Sequence, residues 1–270
     1  MAATLGRSDQ VTHSGRRTCG GARLCVEVAV LSRRMLLRYV RYPHLVAVAI
    51  VQPLLIVFLF RYVFGGAIGV PGTSYVEYLF PGIFAMVIVQ GSGNTGMGLA
   101  EDMSSGVLER FRSLPVSRVS ILAARTLADA VKNVLTLVLV GLVGIAVGFH
   151  FVAGPIDVLA AFGLCVIFGV AMAWLSFAVT MLLGTVEAVQ GALLILTLSA
   201  TFISDTFVPT ATMPGWLQVP VKMSPVSKLV DALRGLTISM GSGSVEATVI
   251  WIAVLLALAI PVAILQYRRL

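Results

Sequence analysis

The 270 residues are 58% hydrophobic and only 11% charged, with a formal net charge of +7 at pH 7. A soluble domain carries roughly 25% charged residues, so water is not the main solvent, and the apolar residues stand in long blocks rather than in core-facing stripes. Nucleic acid does not account for the positive charge: the basic residues crowd into the first 41 positions and beside the ends of the apolar blocks, which suits an anionic membrane surface.

Residues 1–22, rich in Gly, Ser, Thr and Arg, read as a disordered cytoplasmic tail. Over 23–43, Arg23, Glu27, Arg34, Arg38 and Arg41 fall within a narrow arc of a helical wheel, with Leu24, Val28, Leu31 and Met35 beside it. The pattern predicts an amphipathic helix lying in the membrane interface; the alternative is a solvated basic leader. Ser32-Arg33-Arg34-Met35-Leu36-Leu37 also resembles a twin-arginine export signal, a reading opposed by the five apolar blocks that follow the first.

A membrane-crossing helix needs about 20 apolar residues, because every backbone N–H and C=O must be satisfied within the segment. Six stretches qualify: Leu45–Phe64, Leu79–Ala100, Asn133–Val152, Val158–Leu183, Ala188–Val208 and Thr248–Gln266. Fifteen of the nineteen Lys and Arg residues precede the first stretch, surround the loop after the second, or close the chain. By the positive-inside rule these segments are cytoplasmic. The expected fold is therefore an all-α integral membrane protein of six transmembrane helices behind an interfacial helix, with both termini in the cytoplasm. The six-span block 44–270 carries a charged cytoplasmic loop, 101–129, and an external loop, 209–245, interrupted by Pro209, Pro214, Pro220 and Pro225. No cleavable secretory signal is visible, and Cys19, Cys25 and Cys165 form neither a disulfide framework nor a metal pattern.

The cytoplasmic loop runs Glu101-Asp102-Met103-Ser104-Ser105-Gly106-Val107-Leu108-Glu109-Arg110-Phe111-Arg112-Ser113-Leu114-Pro115-Val116-Ser117-Arg118. Val107, Leu108, Phe111 and Leu114 share an apolar helical face rimmed by charge, which Pro115 ends. Spacing alone fits an ordinary positive-inside loop. The carboxylate pair followed by Gly, Glu-Arg and Leu-Pro-Val-Ser-Arg, however, resembles the signature of type 2 ATP-binding-cassette (ABC) exporter permeases, especially the daunorubicin-resistance permease family. A second match lies in the external loop: Phe207-Val208-Pro209, Met213-Pro214-Gly215-Trp216-Leu217-Gln218, Ser224-Pro225-Val226-Ser227 and Asp231-Ala232-Leu233-Arg234. The resemblance covers the chain from about Arg23 onward. It implies that the first motif is a coupling helix seated on a cytosolic ATP-binding subunit, with Glu101, Asp102, Gly106, Leu108, Glu109, Arg110, Phe111, Pro115 and Arg118 at the contact. It also implies a second permease subunit, identical or paralogous, in a plasma-membrane complex that exports an amphipathic drug-like or lipid-like cargo.

Lys132, Lys222 and Lys228 follow Val, Val and Ser, so no Walker A loop exists. The chain is expected to hold no cofactor and to be no enzyme by itself, with ATP and Mg bound by the partner. Gly91-Ser92-Gly93-Asn94-Thr95-Gly96 matches G-x-G-x-x-G but lies within an apolar block without a preceding strand, so helix packing is the expected role. Its polar face makes Gln52, Gln90, Ser92 and Asn94 candidates for a substrate path. Arg61 and Asp205, both expected near the outer face, are candidates for an ion-paired external gate. Lys132 and Glu187 are expected at the cytoplasmic interface. A gradient-driven secondary transporter is the alternative; it needs ionisable groups at mid-depth, and the predicted spans show no acidic residue there. The histidines are too scattered for a metal site, and protease motifs are absent.

Overall fold

The computed structural model describes residues 28–33, 35, 37, 41, 43–64, 74–106, 118–240 and 245–269, and among them every regular element is helical. The elements are α1 (Pro43–Phe58, continued by a π-helical turn Leu59–Phe64), α2 (Tyr75–Ser104), α3 (Arg118–Val147), α4 (Pro155–Leu183), α5 (Val186–Phe202), a 3₁₀ turn (Thr210–Thr212), α6 (Gly215–Met223), α7 (Pro225–Ile238) and α8 (Val245–Arg269). Four helices are long and apolar enough to cross a bilayer: Tyr75–Ser104, Leu122–Val147, Pro155–Leu183 and Val245–Gln266. Val51–Val63 and Val186–Phe202 are shorter apolar segments.

Local chemistry sets the helix ends. Ser74 opens α2 with a capping box, its Oγ accepting from the Glu77 N–H at 3.3 Å while Glu77 Oε2 accepts from the Ser74 N–H at 3.4 Å. Pro155 and Pro225 begin α4 and α7, where a missing N–H costs nothing. Gly184 closes α4 in the left-handed conformation, φ +74°. Below, the end of the bundle holding the α2–α3 connection is the loop end, and the end holding α6 and α7 is the cap end.

α2 and α4 form the centre. In the span window of α2, 83% of residues are buried against protein, compared with 22% in α8. This burial explains the mean hydropathies of 1.3 and 2.8: a helix surrounded by helices carries Gly, Ser, Thr and Asn, whereas one facing lipid must be apolar. Near the cap end, aromatic rings fill the core. Phe80 lies 4.9 Å from Phe149, and Phe84 meets Phe162 edge-on at 5.6 Å. α7 is built into this core, with Val226, Leu229, Val230, Ala232 and Leu233 fully buried, while α6 leaves Trp216 77% exposed.

Two expected boundaries move. The third span was placed from Asn133, but α3 begins at Arg118, so residues 118–129 of the predicted loop are helical and Asp129 and Lys132 lie inside α3. Spacing could not reveal this, because charged residues along a continuous helix look like loop residues until a packed neighbour shields them. The fifth span was extended to Val208; α5 stops at Phe202, and Asp205 sits in the irregular turn beyond it.

Candidate functional site

At the loop end, α2 finishes over Ser104, and Gly106 reverses the chain at φ +68°. The Oγ atoms of Ser104 and Ser105 donate to the Glu101 carbonyl at 3.0 and 2.8 Å, satisfying an acceptor that the helix end leaves open. Glu101 is exposed. Asp102 reaches across to α3, where its Oδ2 accepts from Arg125 Nη1 at 2.5 Å. The two helices flanking the charged connection are thus tied at its root. Gly98 permits this bond, since the Arg125 guanidinium occupies the space a Cβ at Gly98 would take. Arg118 starts α3. Leu108, Glu109, Arg110, Phe111 and Pro115 lie outside the described residues. From the N-terminal helical segment, Ser32 Oγ donates to the Ala124 carbonyl at 3.1 Å, so that segment also packs on α3 near the loop end.

Midway along α2 lies a polar region. Gln52 Nε2 of α1 donates to Gln90 Oε1 of α2 at 2.7 Å. These two and Asn94 border both a 30 Å³ void, which also touches Lys132, Asn133 and Thr136, and a 310 Å³ cavity shared with α5. Three of the four predicted path residues therefore meet here. Ser92 does not: it is fully buried, with its Oγ donating to the carbonyls of Ile88 and Gly169 at 2.8 and 3.1 Å. Residues two apart on a helix do not share a face, and Ser92 faces α4. Gln190 and Thr197 of α5 complete the cavity; polar residues in an otherwise apolar block were the available signal for them.

The G-x-G-x-x-G match is a packing device. A Cβ at Gly91 would lie 2.6 Å from Asn133 Oδ1, one at Gly93 2.8 Å from Thr197 Cγ2, and one at Gly96 2.8 Å from Ser176 Cβ. Thr180 Oγ1 donates to the Gly96 carbonyl at 3.1 Å. The motif is where α3, α4 and α5 approach α2 closely.

The expectation for ionisable groups needs correction in two places. Lys132 lies near the middle of α3 rather than near a helix end, with Nζ 3.4 Å from Asp129 Oδ1; the Asp129 side chain is buried and that of Lys132 is partly buried. Asp129 stands about 17 Å along the helix from Arg118, so an acidic residue lies inside the apolar segment Leu122–Val147, seven residues from its start. Arg61 is exposed and does not pair with Asp205. The partner of Asp205 is Arg234 of α7: Nη1 meets Oδ2 at 2.6 Å and Nη2 donates to the Asp205 carbonyl at 2.8 Å. The Arg234 guanidinium also lies 3.7 Å above the Tyr78 ring, whose hydroxyl donates to the same carbonyl at 3.1 Å. This cluster pins the turn after α5 to α2 and α7. Arg61 belongs to the π-helical turn at the end of α1, where its side chain points away from the core.

The central glycine-rich helix, the tied root of a charged connection and the core-packed helix α7 describe a membrane permease. The chain belongs to the ABC-2 type transporter family, whose model matches residues 26–238. It is 34% identical over 255 residues to the probable doxorubicin resistance ABC transporter permease protein DrrC of Mycobacterium tuberculosis, covering 92% of this chain and 91% of the relative. It is 29% identical over 231 residues to the daunorubicin resistance ABC transporter permease protein DrrB1 of Streptomyces coeruleorubidus, covering 86% and 81%. It is 27% identical over 212 residues to the putative transport permease ycf38 of Cyanophora paradoxa, covering 77% and 73%.

Proposed function

We propose that this chain is the transmembrane subunit of an ABC exporter that moves an amphipathic drug-like or lipid-like cargo out of the cytoplasm or inner leaflet. The complex pairs two permease subunits, identical or paralogous, with cytosolic ATP-binding subunits that hold the ATP and Mg. The chain crosses the plasma membrane six times with both termini in the cytoplasm, which makes the loop end cytoplasmic and the cap end external. The observation that carries the reading is the Asp102–Arg125 bond. Helices move as units, so a force on the segment Gly106–Arg118 acts on α2 and α3 together, and α2 forms one wall of the 310 Å³ cavity. Leu108, Glu109, Arg110, Phe111 and Pro115 form the peg that the partner grips, with Glu101 at its rim. Gln52, Gln90 and Asn94 line the cargo path, and Asp205 with Arg234, rather than with Arg61, anchors the outer end.

Purification from the native membrane in mild detergent tests the assignment. An ATPase subunit is expected to accompany the wild type in stoichiometric amount and to be lost from Glu109→Lys. Wild-type protein that carries no ATP-binding subunit under several gentle conditions defeats the proposal. The Asp129–Lys132 pair within the apolar segment Leu122–Val147 favours a second reading, a gradient-driven transporter, because an ionisable pair in a span is what ion coupling requires. Uptake into ATP-free vesicles under an imposed pH gradient decides between them: the exporter reading expects none.

A further inference from the structure

Three helices bring four carboxamides to one cavity. Gln90 and Asn94 stand one turn apart on α2, Gln190 faces them from α5, and Gln52 approaches from α1. Asn94 and Gln190 are exposed to this space and make no hydrogen bond among the described residues. Amides open to a cavity within an apolar bundle leave both donors and acceptors available to a ligand, and a ligand that both donates and accepts uses them most fully. Hydroxyl groups do both, whereas an ammonium only donates and an ionised phosphate only accepts.

Charge points the same way. Among the described residues, no charged side chain lines the 310 Å³ cavity. One cation, Lys132, borders the adjoining 30 Å³ void and has the carboxylate of Asp129 3.4 Å away. The cavity therefore presents hydrogen-bonding capacity without net charge. Its volume lies at the bottom of the roughly 300–1,000 Å³ range of small-molecule sites, enough for a head group and not for a whole amphipath. Leu194 and Leu198, 56% and 43% exposed, lead from it toward the apolar surface where a tail would lie.

We propose that this cavity binds the uncharged, polyhydroxylated head of an amphipathic cargo, with Gln90, Asn94 and Gln190 reading its hydroxyls. The inference rests on the exporter reading in taking the ligand for cargo. Its test is displacement of a fluorescent long-chain alkyl glucoside from the full-length protein, with any co-purifying subunits, in nanodiscs. Dodecyl glucoside, dodecyl phosphate and dodecyltrimethylammonium are the competitors, so the tail is constant and only the head varies. The glucoside is expected to displace the probe at least about ten-fold more effectively than either charged analogue. Asn94→Leu and Gln190→Leu are each expected to weaken it about five- to ten-fold, the loss of one hydrogen bond, without changing the charged analogues. Asn94→Gln, which keeps the carboxamide, is expected to retain binding. Equal displacement by all three heads overturns the proposal, as does unchanged glucoside affinity in the folded Leu variants. If Asn94→Leu instead dissociates a permease dimer at constant glucoside affinity, the amides belong to a subunit contact and the proposal fails. Binding needs no ATPase, so glucoside selectivity without a co-purifying ATPase defeats the exporter reading and leaves the site standing, while ATP-dependent transport without head selectivity does the reverse.

Discussion

Arg234 is held by a carboxylate, a backbone carbonyl and an aromatic face at once, and each contact needs the planar guanidinium. Removing one partner of a buried ion pair strands the other, at a cost of about 3–5 kcal/mol. Arg234→Ala and Asp205→Ala are both expected to lower the thermal midpoint sharply in detergent, Arg234→Lys to rescue little, and Arg61→Ala to change nothing. A destabilised Arg61→Ala would restore the Arg61–Asp205 pairing that the sequence suggested. Beside this pair, Asp231 lies 3.8 Å from Arg234 on the more exposed side of α7. Burial, reinforced by the negative charge of Asp205, raises its carboxyl from 3.8 to about 6. A raised carboxyl pKa means that the folded protein binds a proton more tightly than the unfolded chain does, so stability falls as pH rises from about 4 through about 6. Asp231→Asn is expected to stabilise the protein at pH 7.5 by about 1 kcal/mol after allowance for solvent screening, and to do almost nothing at pH 4. Thermal unfolding at the two pH values measures the difference; equal effects at both would show that the charge of Asp231 is irrelevant.

At the scale of elements, α2 is the part of the chain that tolerates least. Gly96 faces Ser176 Cβ at 2.8 Å and Leu193 Cδ1 at 2.9 Å from where its own Cβ would be. Gly96→Ala must push α4 or α5 aside, costing about 1–3 kcal/mol as an overpacked core does. Gly163 on α4 has no atom within 4 Å of its virtual Cβ, and Gly163→Ala is expected to stabilise the helix by up to about 1 kcal/mol. Folded yield and midpoint temperature compare the two, and equal responses would contradict the packing account. The low hydropathy of α2 is legible in the sequence, but its cause is not. A glycine or serine in a span signals a close approach, yet the identity of the partner, Ser176 from α4 or Thr197 from α5, depends on how helices distant in sequence dock.

For the molecule as a whole, the Asp102–Arg125 bond is the element of the transport proposal most open to attack. It is partly exposed, so breaking it is expected to cost only about 1 kcal/mol of stability. Its loss uncouples α2 from α3, and Asp102→Arg or Arg125→Asp is expected to reduce ATP-dependent transport about ten-fold or more with little change in the midpoint temperature. The double exchange should recover much of that transport; its failure to do so would remove the bond from the coupling account. The sequence by itself determined the solvent of this chain, the positions of four of its six apolar blocks to within a few residues, and its family, because these depend on composition, on bilayer thickness and on contiguous motifs. It also brought Gln52, Gln90 and Asn94 to notice, since polar residues inside apolar blocks stand out one at a time. Only the tertiary structure decided which charges pair, that Asp129 and Lys132 lie within α3, and that Ser92 turns away from the cavity while Gln190 turns toward it. Those outcomes depend on helix rotation and on neighbours far apart in sequence, neither of which hydropathy records.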